Sequence, residues 1–170
     1  FIRNKCGDSD IGLILGSGLA DSIIPDNAQT LLYEDIPDFP VATAPGHKSE
    51  WVSGIINGKK ISMMRGRFHY YEGYSAEDII MPIRIMKLLG IKTLIVTNAA
   101  GAVNKSYNPG VLMLITDHIN YSGINPLIGA NDDRFGTRFP DMSAVYDKRL
   151  AEIAHKCADS AGIKLNDGVY

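Results

Sequence analysis

The sequence has little cysteine, no excess of one charge and no long apolar run. Its 170 residues contain two cysteines, Cys6 and Cys157, without a Cys-x-x-Cys spacing, so we expect free thiols rather than a disulfide framework. The 17 Lys and Arg against 19 Asp and Glu leave a net charge of −2, which excludes the strongly basic surface typical of nucleic-acid-binding proteins. No stretch approaches the roughly 20 apolar residues that span a bilayer. We therefore expect a cytoplasmic protein without nucleic-acid or membrane partners.

The length and the apolar content favour a globular domain. With 45% apolar residues, a chain of this size buries about 70% of the surface that it exposes when unfolded. The sequence starts at Phe1 rather than at a methionine and stops at Gly168-Val169-Tyr170, a pattern typical of the beginning of a strand. We expect residues 1–170 to form a single, incomplete domain.

Turn and capping patterns predict strands that alternate with helices. Ile11 to Leu15 is typical of a buried strand, and Asn57-Gly58 between two apolar runs predicts a type I′ hairpin, with strands over 51–56 and 59–64. Ser75 to Asp78 resembles a capping box. The other expected elements are a helix from there to Gly90, in which Pro82 marks either a kink or the true start, a central strand over 91–97, a strand over 111–115, an irregular segment over 121–141, a helix over 147–161 and a last strand after 163. This order predicts an α/β fold with a mixed sheet.

The loop after the first strand, Gly16-Ser17-Gly18, offers backbone N–H groups and one hydroxyl. It is not a dinucleotide-binding fingerprint, because Asp21 replaces the third glycine, and it matches neither a Walker A loop nor a nucleophile elbow. Two interpretations remain: a cradle for a single phosphate, or an ordinary turn between a strand and a helix. The loop Asn98-Ala99-Ala100-Gly101 follows another strand. Because ligands bind at the carboxyl ends of strands in open α/β sheets, the two loops together favour the cradle.

The segment from Arg65 to Gly73 concentrates polar side chains: two Arg, one His, two Tyr and one Glu. An arginine offers a planar fork of donors for phosphate oxygens, a histidine adds a further donor, and Glu72 would hold one of them in place. A solvated polar loop with some aromatic packing is the alternative. The four histidines show no H-x-x-x-H spacing and none lies near a cysteine, so we expect no metal site and structural roles for His118 and His155.

Seven motifs occur in order along nearly the whole chain. They are Leu15-Gly16-Ser17-Gly18-Leu19, Gly46-His47, Gly66-Arg67-Phe68-His69-Tyr70-Tyr71-Glu72-Gly73, Thr97-Asn98-Ala99-Ala100-Gly101, Asp117-His118-Ile119-Asn120, Asn125-Pro126-Leu127 and Arg134-Phe135-Gly136-Thr137-Arg138-Phe139-Pro140-Asp141-Met142. Together they resemble the trimeric purine nucleoside phosphorylases. The resemblance implies a three-layer α/β/α phosphorylase-like fold with a mixed central β-sheet, whose C-terminal part is missing here.

The resemblance also implies an activity, the reversible phosphorolysis of purine ribonucleosides and deoxyribonucleosides in purine salvage. The products are the free base and a pentose 1-phosphate, inorganic phosphate is the co-substrate, and no cofactor is needed. The enzyme would be a homotrimer. The family's base-reading Glu and Asn lie in its second half, so the resemblance assigns purine specificity to no residue of this chain.

Individual residues take their expected roles from the same resemblance. Phosphate would be held by Ser17, His47, Arg67, His69 and the backbone N–H of Ala99. The ribose or nucleoside would be contacted by Tyr71, Asn98 and Phe139, the last of these from a neighbouring subunit. His69 and Glu72 are the expected catalytic residues, with Glu72 orienting the phosphate network. The alternative is a phosphate-binding, self-associating module that turns nothing over; a glycoside hydrolase is disfavoured, because these motifs hold no clear pair of carboxylates to flank the bond.

Overall fold

The structure, a computed structural model, describes residues 1–16, 18–41 and 48–170. Within these ranges it contains three α-helices, α1 (Ile2–Cys6), α2 (Ala76–Leu88) and α3 (Lys148–Ser160). It also contains seven strands, β1 (Ile11–Leu15), β2 (Asp26–Leu32), β3 (Glu50–Ile56), β4 (Lys59–Arg65), β5 (Thr93–Val96), β6 (Leu112–Asp117) and β7 (Leu165–Val169). Two compact units can be distinguished, residues 1–100 and residues 101–170. A single domain over residues 1–170 stays a prediction.

The first unit is built on a five-stranded sheet in the order β2-β3-β4-β1-β5. β1 runs parallel to both β4 and β5, whereas β3 is antiparallel to β2 and β4. This arrangement confirms the predicted mixed sheet. The hairpin between β3 and β4 also matches the prediction, because Asn57 and Gly58 have φ values of 47° and 73°, the two left-handed positions of a type I′ turn.

The sheet buries side chains on both of its faces. Because side chains alternate along a strand, Leu13 and Leu15 of β1 pack into one cluster with Val52 and Met63, while Ile14 belongs to the other. The second cluster also holds the aromatic residues Tyr33, Phe39, Trp51 and Phe68, together with Met64, Met86 and Leu89. β1 is therefore buried on both faces.

Helix α2 begins where its cap predicts. The Ser75 hydroxyl accepts from the Asp78 backbone N–H at 3.1 Å, and the Asp78 carboxylate accepts from the Ser75 N–H at 2.9 Å. The helix starts at Ala76 and continues past Pro82, so the prediction that this proline marks the true start was wrong. The reason is that the capping box starts the helix upstream of the proline, by satisfying the N–H groups of Ser75 and Asp78.

The position of β5 also differs from the prediction. The β-branched run over 91–97 predicted a central strand, but in the described ranges β5 lies at the edge of its sheet and pairs with β1 alone. Leu94, Ile95 and Val96 are 37%, 48% and 54% exposed. β-branched residues suit a pleated, half-buried strand, and that preference does not determine how many neighbours the strand has.

The second unit contains a two-stranded parallel sheet of β6 and β7, together with α3. Asp147 caps α3, because its carboxylate accepts from the Leu150 N–H at 2.9 Å. As predicted, no helix or strand occurs over 121–141, all of which is described. Turns replace them, in which the side chains of Asn120, Asn125, Asp132 and Asp141 accept from the N–H two residues further on. No helix in the described ranges is long and apolar enough to cross a membrane.

Candidate active site

The parallel strands β1, β4 and β5 end at the same edge of their sheet. Three loops therefore begin there: the loop after Leu15, the segment after Arg65 and the loop after Val96. These are the three segments that the sequence predicts to carry chemistry, and the topology brings them together. In open α/β sheets, this carboxyl edge is where ligands bind.

Gly16 joins the end of β1 to the loop after β5. Its N–H donates to the Thr97 hydroxyl at 2.8 Å, and the Thr97 N–H donates to the Ile14 carbonyl at 2.9 Å. A Cβ atom at Gly16 would lie 2.7 Å from the Thr97 carbonyl oxygen, 3.0 Å from Arg67 Nη1 and 3.1 Å from Asn98 Cα. A larger residue would force this backbone apart, because the Thr97 carbonyl and Asn98 Cα occupy the space that its side chain needs.

Arg67 places its guanidinium over this junction. Its Nη1 donates to the Thr97 carbonyl at 3.1 Å, and the residue is half-buried. The side chain leaves a segment whose next residue, Phe68, is buried in the aromatic cluster. A cation with a planar fork of donors is thereby held at the carboxyl edge of the sheet, the arrangement that suits a phosphate.

His69 and Glu72 form a second polar pair two residues further on. The Glu72 carboxylate accepts from both the backbone N–H and the ring Nδ1 of His69, at 2.6 and 2.8 Å, across a short 3₁₀ helix, Tyr70–Glu72. The Glu72 side chain is only 3% exposed, so water screens this pair little. The pair fixes the ring, with Nδ1 as the donor to Glu72 and Nε2 on the opposite side. Tyr71 stacks on this ring at 4.8 Å and is 77% exposed.

The other predicted site residues are exposed or lie outside the described residues. Asn98 and Ala99 are exposed in the loop after β5, where the Asn98 amide lies 3.5 Å from the Ala99 carbonyl oxygen. Phe139 belongs to the second unit and is 85% exposed. Ser17 and His47 lie outside the described residues. In the second unit, Nδ1 of His118 and Nε2 of His155 lie in hydrogen-bond range of Tyr146 and Asp167, respectively.

The loop after β1 differs from the prediction in one respect. The alternative interpretation placed a helix after Gly18, but the described residues there form turns that lead to β2. Asp21 pairs with Lys48, and the hydrogen bond from Lys48 lowers the pKa of the Asp21 carboxyl. Arg65 also contacts the segment between β1 and β2, because its Nη2 donates to the Ile23 carbonyl at 2.8 Å. No motif predicts these two contacts, because each of them joins residues that are distant in sequence.

No group of three or more potential metal ligands was found among residues 1–16, 18–41 and 48–170. The Arg67 guanidinium lies at the carboxyl edge, and the His69 imidazole belongs to the same segment, two residues further on; both are groups that suit an anion.

Known proteins resemble this chain over nearly its full length. The profile of the phosphorylase superfamily matches residues 10–170. Purine nucleoside phosphorylase 1 of Bacillus subtilis is 53% identical, in an alignment that covers 100% of this chain and 64% of that protein. The purine nucleoside phosphorylase of Bos taurus is 46% identical, with coverages of 94% and 57%.

Solved structures show the same relation. Schistosoma mansoni purine nucleoside phosphorylase in complex with inosine has a TM-score of 0.90 at 40% identity, and isoform 2 of that enzyme in complex with cytosine and ribose-1-phosphate has a TM-score of 0.89 at 42% identity. Each alignment covers 99% of this chain and 62% of the solved chain. This chain thus spans between 57% and 64% of the length of these four relatives. The predicted fold class and resemblance are confirmed, and the chain belongs to the phosphorylase superfamily.

Proposed function

We propose that this chain supplies the phosphate-binding part of a purine nucleoside phosphorylase. The reaction is the reversible cleavage of the N-glycosidic bond of purine ribonucleosides and deoxyribonucleosides by inorganic phosphate. The observation that carries the proposal is the placement of Arg67 and the His69–Glu72 pair at the carboxyl edge of the sheet. The relatives named purine nucleoside phosphorylase, one of them solved with inosine, support the substrate class.

The chemistry requires a phosphate beside the anomeric carbon. As the bond from C1′ to the purine nitrogen breaks, its electron pair leaves with the base and C1′ develops positive charge. The base gains a proton, which in the overall reaction is the one that hydrogen phosphate loses. A phosphate oxygen both stabilises that cation and forms the new bond to C1′. Arg67 would bind phosphate oxygens through its planar fork of donors, and His69 would hydrogen-bond to the phosphate through Nε2. Ser17, His47 and the Ala99 N–H complete the proposed phosphate site.

The remaining roles extend this proposal to the sugar and to the assembly. Tyr71, exposed beside His69, would cover the ribose, and Asn98 would contact the nucleoside from the loop after β5. Phe139, also exposed, would reach the site of a neighbouring subunit in a homotrimer. We assign the reaction to purine salvage in the cytoplasm, with no cofactor besides the phosphate co-substrate.

A second candidate is a module that binds phosphate and self-associates without turnover. The specific observation in its favour is that Arg67 and the His69–Glu72 pair suit an anion, and none of these three residues has been assigned to a purine base. Both candidates require the anion site, and they differ in whether a nucleoside reacts there.

The test of the proposed function is release of hypoxanthine from inosine, followed by absorbance while the phosphate concentration is varied. We expect a rate that rises with phosphate, saturates and forms one ribose 1-phosphate for each base released. Binding of phosphate without any release, in a chain that is folded, would favour the module. Release at the same rate without phosphate would instead identify a hydrolase.

Glu72→Gln tests the orientation of the catalytic histidine. The amide keeps the shape of the side chain but removes the negative charge from the bond to Nδ1, and charge-assisted hydrogen bonds are about twice as strong as neutral ones. A loss of roughly 1.4 kcal/mol corresponds to about a tenfold lower kcat. The measurement is the steady-state rate at saturating phosphate and inosine.

Glu34→Gln is the matched control, because Glu34 also lies in a three-residue 3₁₀ helix, Tyr33–Asp35, but is exposed. Its kcat should equal that of the wild type. If Glu72→Gln also retained the full rate, the carboxylate would have no part in orienting His69.

A further inference from the structure

Tyr33 lies beneath the segment that carries Arg67. Its side chain is 0% exposed, and its ring packs against Phe39 at 4.8 Å and against Phe68 at 6.4 Å between centroids. The backbone N–H of Tyr33 donates to the Ser49 carbonyl at 2.9 Å, which ties the residue to the end of the sheet. These aromatic contacts need only the ring of Tyr33, and a phenylalanine would make them equally well.

The Tyr33 hydroxyl makes one specific bond, to the carbonyl oxygen of Gly66, at 2.6 Å. A carbonyl only accepts, so the tyrosine is the donor. Burial, together with the nearby Glu50 carboxylate, raises the pKa of the Tyr33 phenol far above its ordinary value, so the hydroxyl keeps the proton that it donates. The phenol therefore remains a donor at neutral pH, and the geometry gives it the Gly66 carbonyl as acceptor.

Gly66 is the residue at which β4 turns into the Arg67 segment. Its φ of 100° lies in the region that favours glycine, so the peptide that joins it to Arg67 has an orientation that ordinary strand geometry does not impose. The carbonyl of that peptide is the group that Tyr33 holds. On the other side of Arg67, the Phe68 ring is buried against Tyr33. The residues on either side of Arg67, Gly66 and Phe68, thus both contact Tyr33.

We propose that Tyr33 is a positioning residue for the anion site, whose hydroxyl fixes the Gly66–Arg67 peptide and so aims the Arg67 guanidinium. The anion site in this inference rests on the proposed function, because it assumes that Arg67 binds phosphate, whereas the placement of Arg67 by Tyr33 does not. A purely structural tyrosine would be replaced by phenylalanine with some loss of stability and no effect on Arg67. If Tyr33 is a positioning residue, its replacement by phenylalanine also displaces Arg67, because the bond from Nη1 to the Thr97 carbonyl depends on where the Arg67 backbone lies.

The test is Tyr33→Phe, which keeps the ring and removes one oxygen. We expect it to bind inorganic phosphate about fivefold to tenfold more weakly by calorimetry, because only a fraction of the molecules then holds Arg67 in the competent orientation. The KM for phosphate should rise by the same factor, while kcat at saturating phosphate changes little. The Arg67 guanidinium signals in nitrogen-15 NMR spectra should shift even without phosphate.

Ser9→Ala is the control, since it also removes a buried hydroxyl, which lies 2.8 Å from that of Ser62. Ser9 precedes β1, whereas the candidate site follows the other end of that strand. It should lower the melting temperature without changing the phosphate Kd or the Arg67 signals. Unchanged guanidinium signals and an unchanged Kd in Tyr33→Phe would overturn the inference. If the signals shift but the wild type itself binds no phosphate, the positioning role stands and the proposed function fails.

Discussion

Arg67→Ala is expected to raise the KM for phosphate by about 100-fold. The guanidinium is the strongest anion-binding group among the described residues at the carboxyl edge of the sheet, and its side chain is already held there by the bond to the Thr97 carbonyl. A charged hydrogen bond contributes about 1.5 to 3 kcal/mol, and loss of roughly 3 kcal/mol in total corresponds to about two orders of magnitude. The measurement is the initial rate of base release as a function of phosphate at saturating inosine.

Two variants show whether the effect belongs to the fork of donors or to charge alone. Arg67→Lys keeps the charge and loses the planar fork, so its KM should lie between those of the wild type and Arg67→Ala. Arg149→Ala removes an exposed arginine from α3, in the other unit, and should leave the KM unchanged. An Arg67→Ala enzyme with the wild-type KM for phosphate would remove this residue from the site.

Gly16→Ala is expected to damage both stability and phosphate binding. The new methyl group would lie 2.7 Å from the Thr97 carbonyl oxygen and 3.1 Å from Asn98 Cα, both of them backbone atoms. The ends of β1 and β5 must separate to admit it, and overpacking of this kind costs about 1 to 3 kcal/mol. Because Arg67 Nη1 lies 3.0 Å from the same position, the guanidinium would be displaced as well. We expect a lower free energy of unfolding in urea and a KM for phosphate raised at least tenfold.

Gly101→Ala is the matched control for the stability measurement. A Cβ there meets no atom within 4 Å, and its φ does not lie in the left-handed region. Its free energy of unfolding should stay within about 0.5 kcal/mol of the wild type. Equal unfolding free energies for the wild type and Gly16→Ala would show that the junction relaxes without cost, contrary to the close approach of the two strands.

Local chemistry made part of the fold predictable. Asn57-Gly58 determines a turn through the backbone conformations that these two residues tolerate, and Ser75 with Asp78 determines a helix start through two reciprocal hydrogen bonds. Each of these features involves residues within a stretch of four, so the local sequence is enough to predict it. The short helix α1 and the polar strand β2 were missed, because five residues carry little periodicity and because β2 lacks a regular alternation of apolar side chains.

For the candidate site too, local motifs predicted some features and missed others. The motifs predicted that Arg67, His69 and Glu72 would carry the chemistry, and these three side chains do lie at the expected edge or beside it. The contacts that hold Arg67 are the bond from its guanidinium to the Thr97 carbonyl and the bond from Tyr33 to the preceding residue, Gly66. They join residues 30 and 33 positions apart, so no local pattern predicts them. The roles of all the candidate site residues stay predictions: Ser17, His47, Arg67, His69, Tyr71, Glu72, Asn98, Ala99 and Phe139.

The central claim is that a phosphate oxygen, held at the carboxyl edge of this sheet, forms the new bond to the anomeric carbon. The most direct measurement uses inosine and inorganic phosphate labelled with oxygen-18 at every oxygen, with the products analysed by mass spectrometry. The account predicts ribose 1-phosphate that retains every label, including the oxygen between carbon and phosphorus. Free ribose carrying an unlabelled oxygen from water, with the phosphate unchanged, would contradict it.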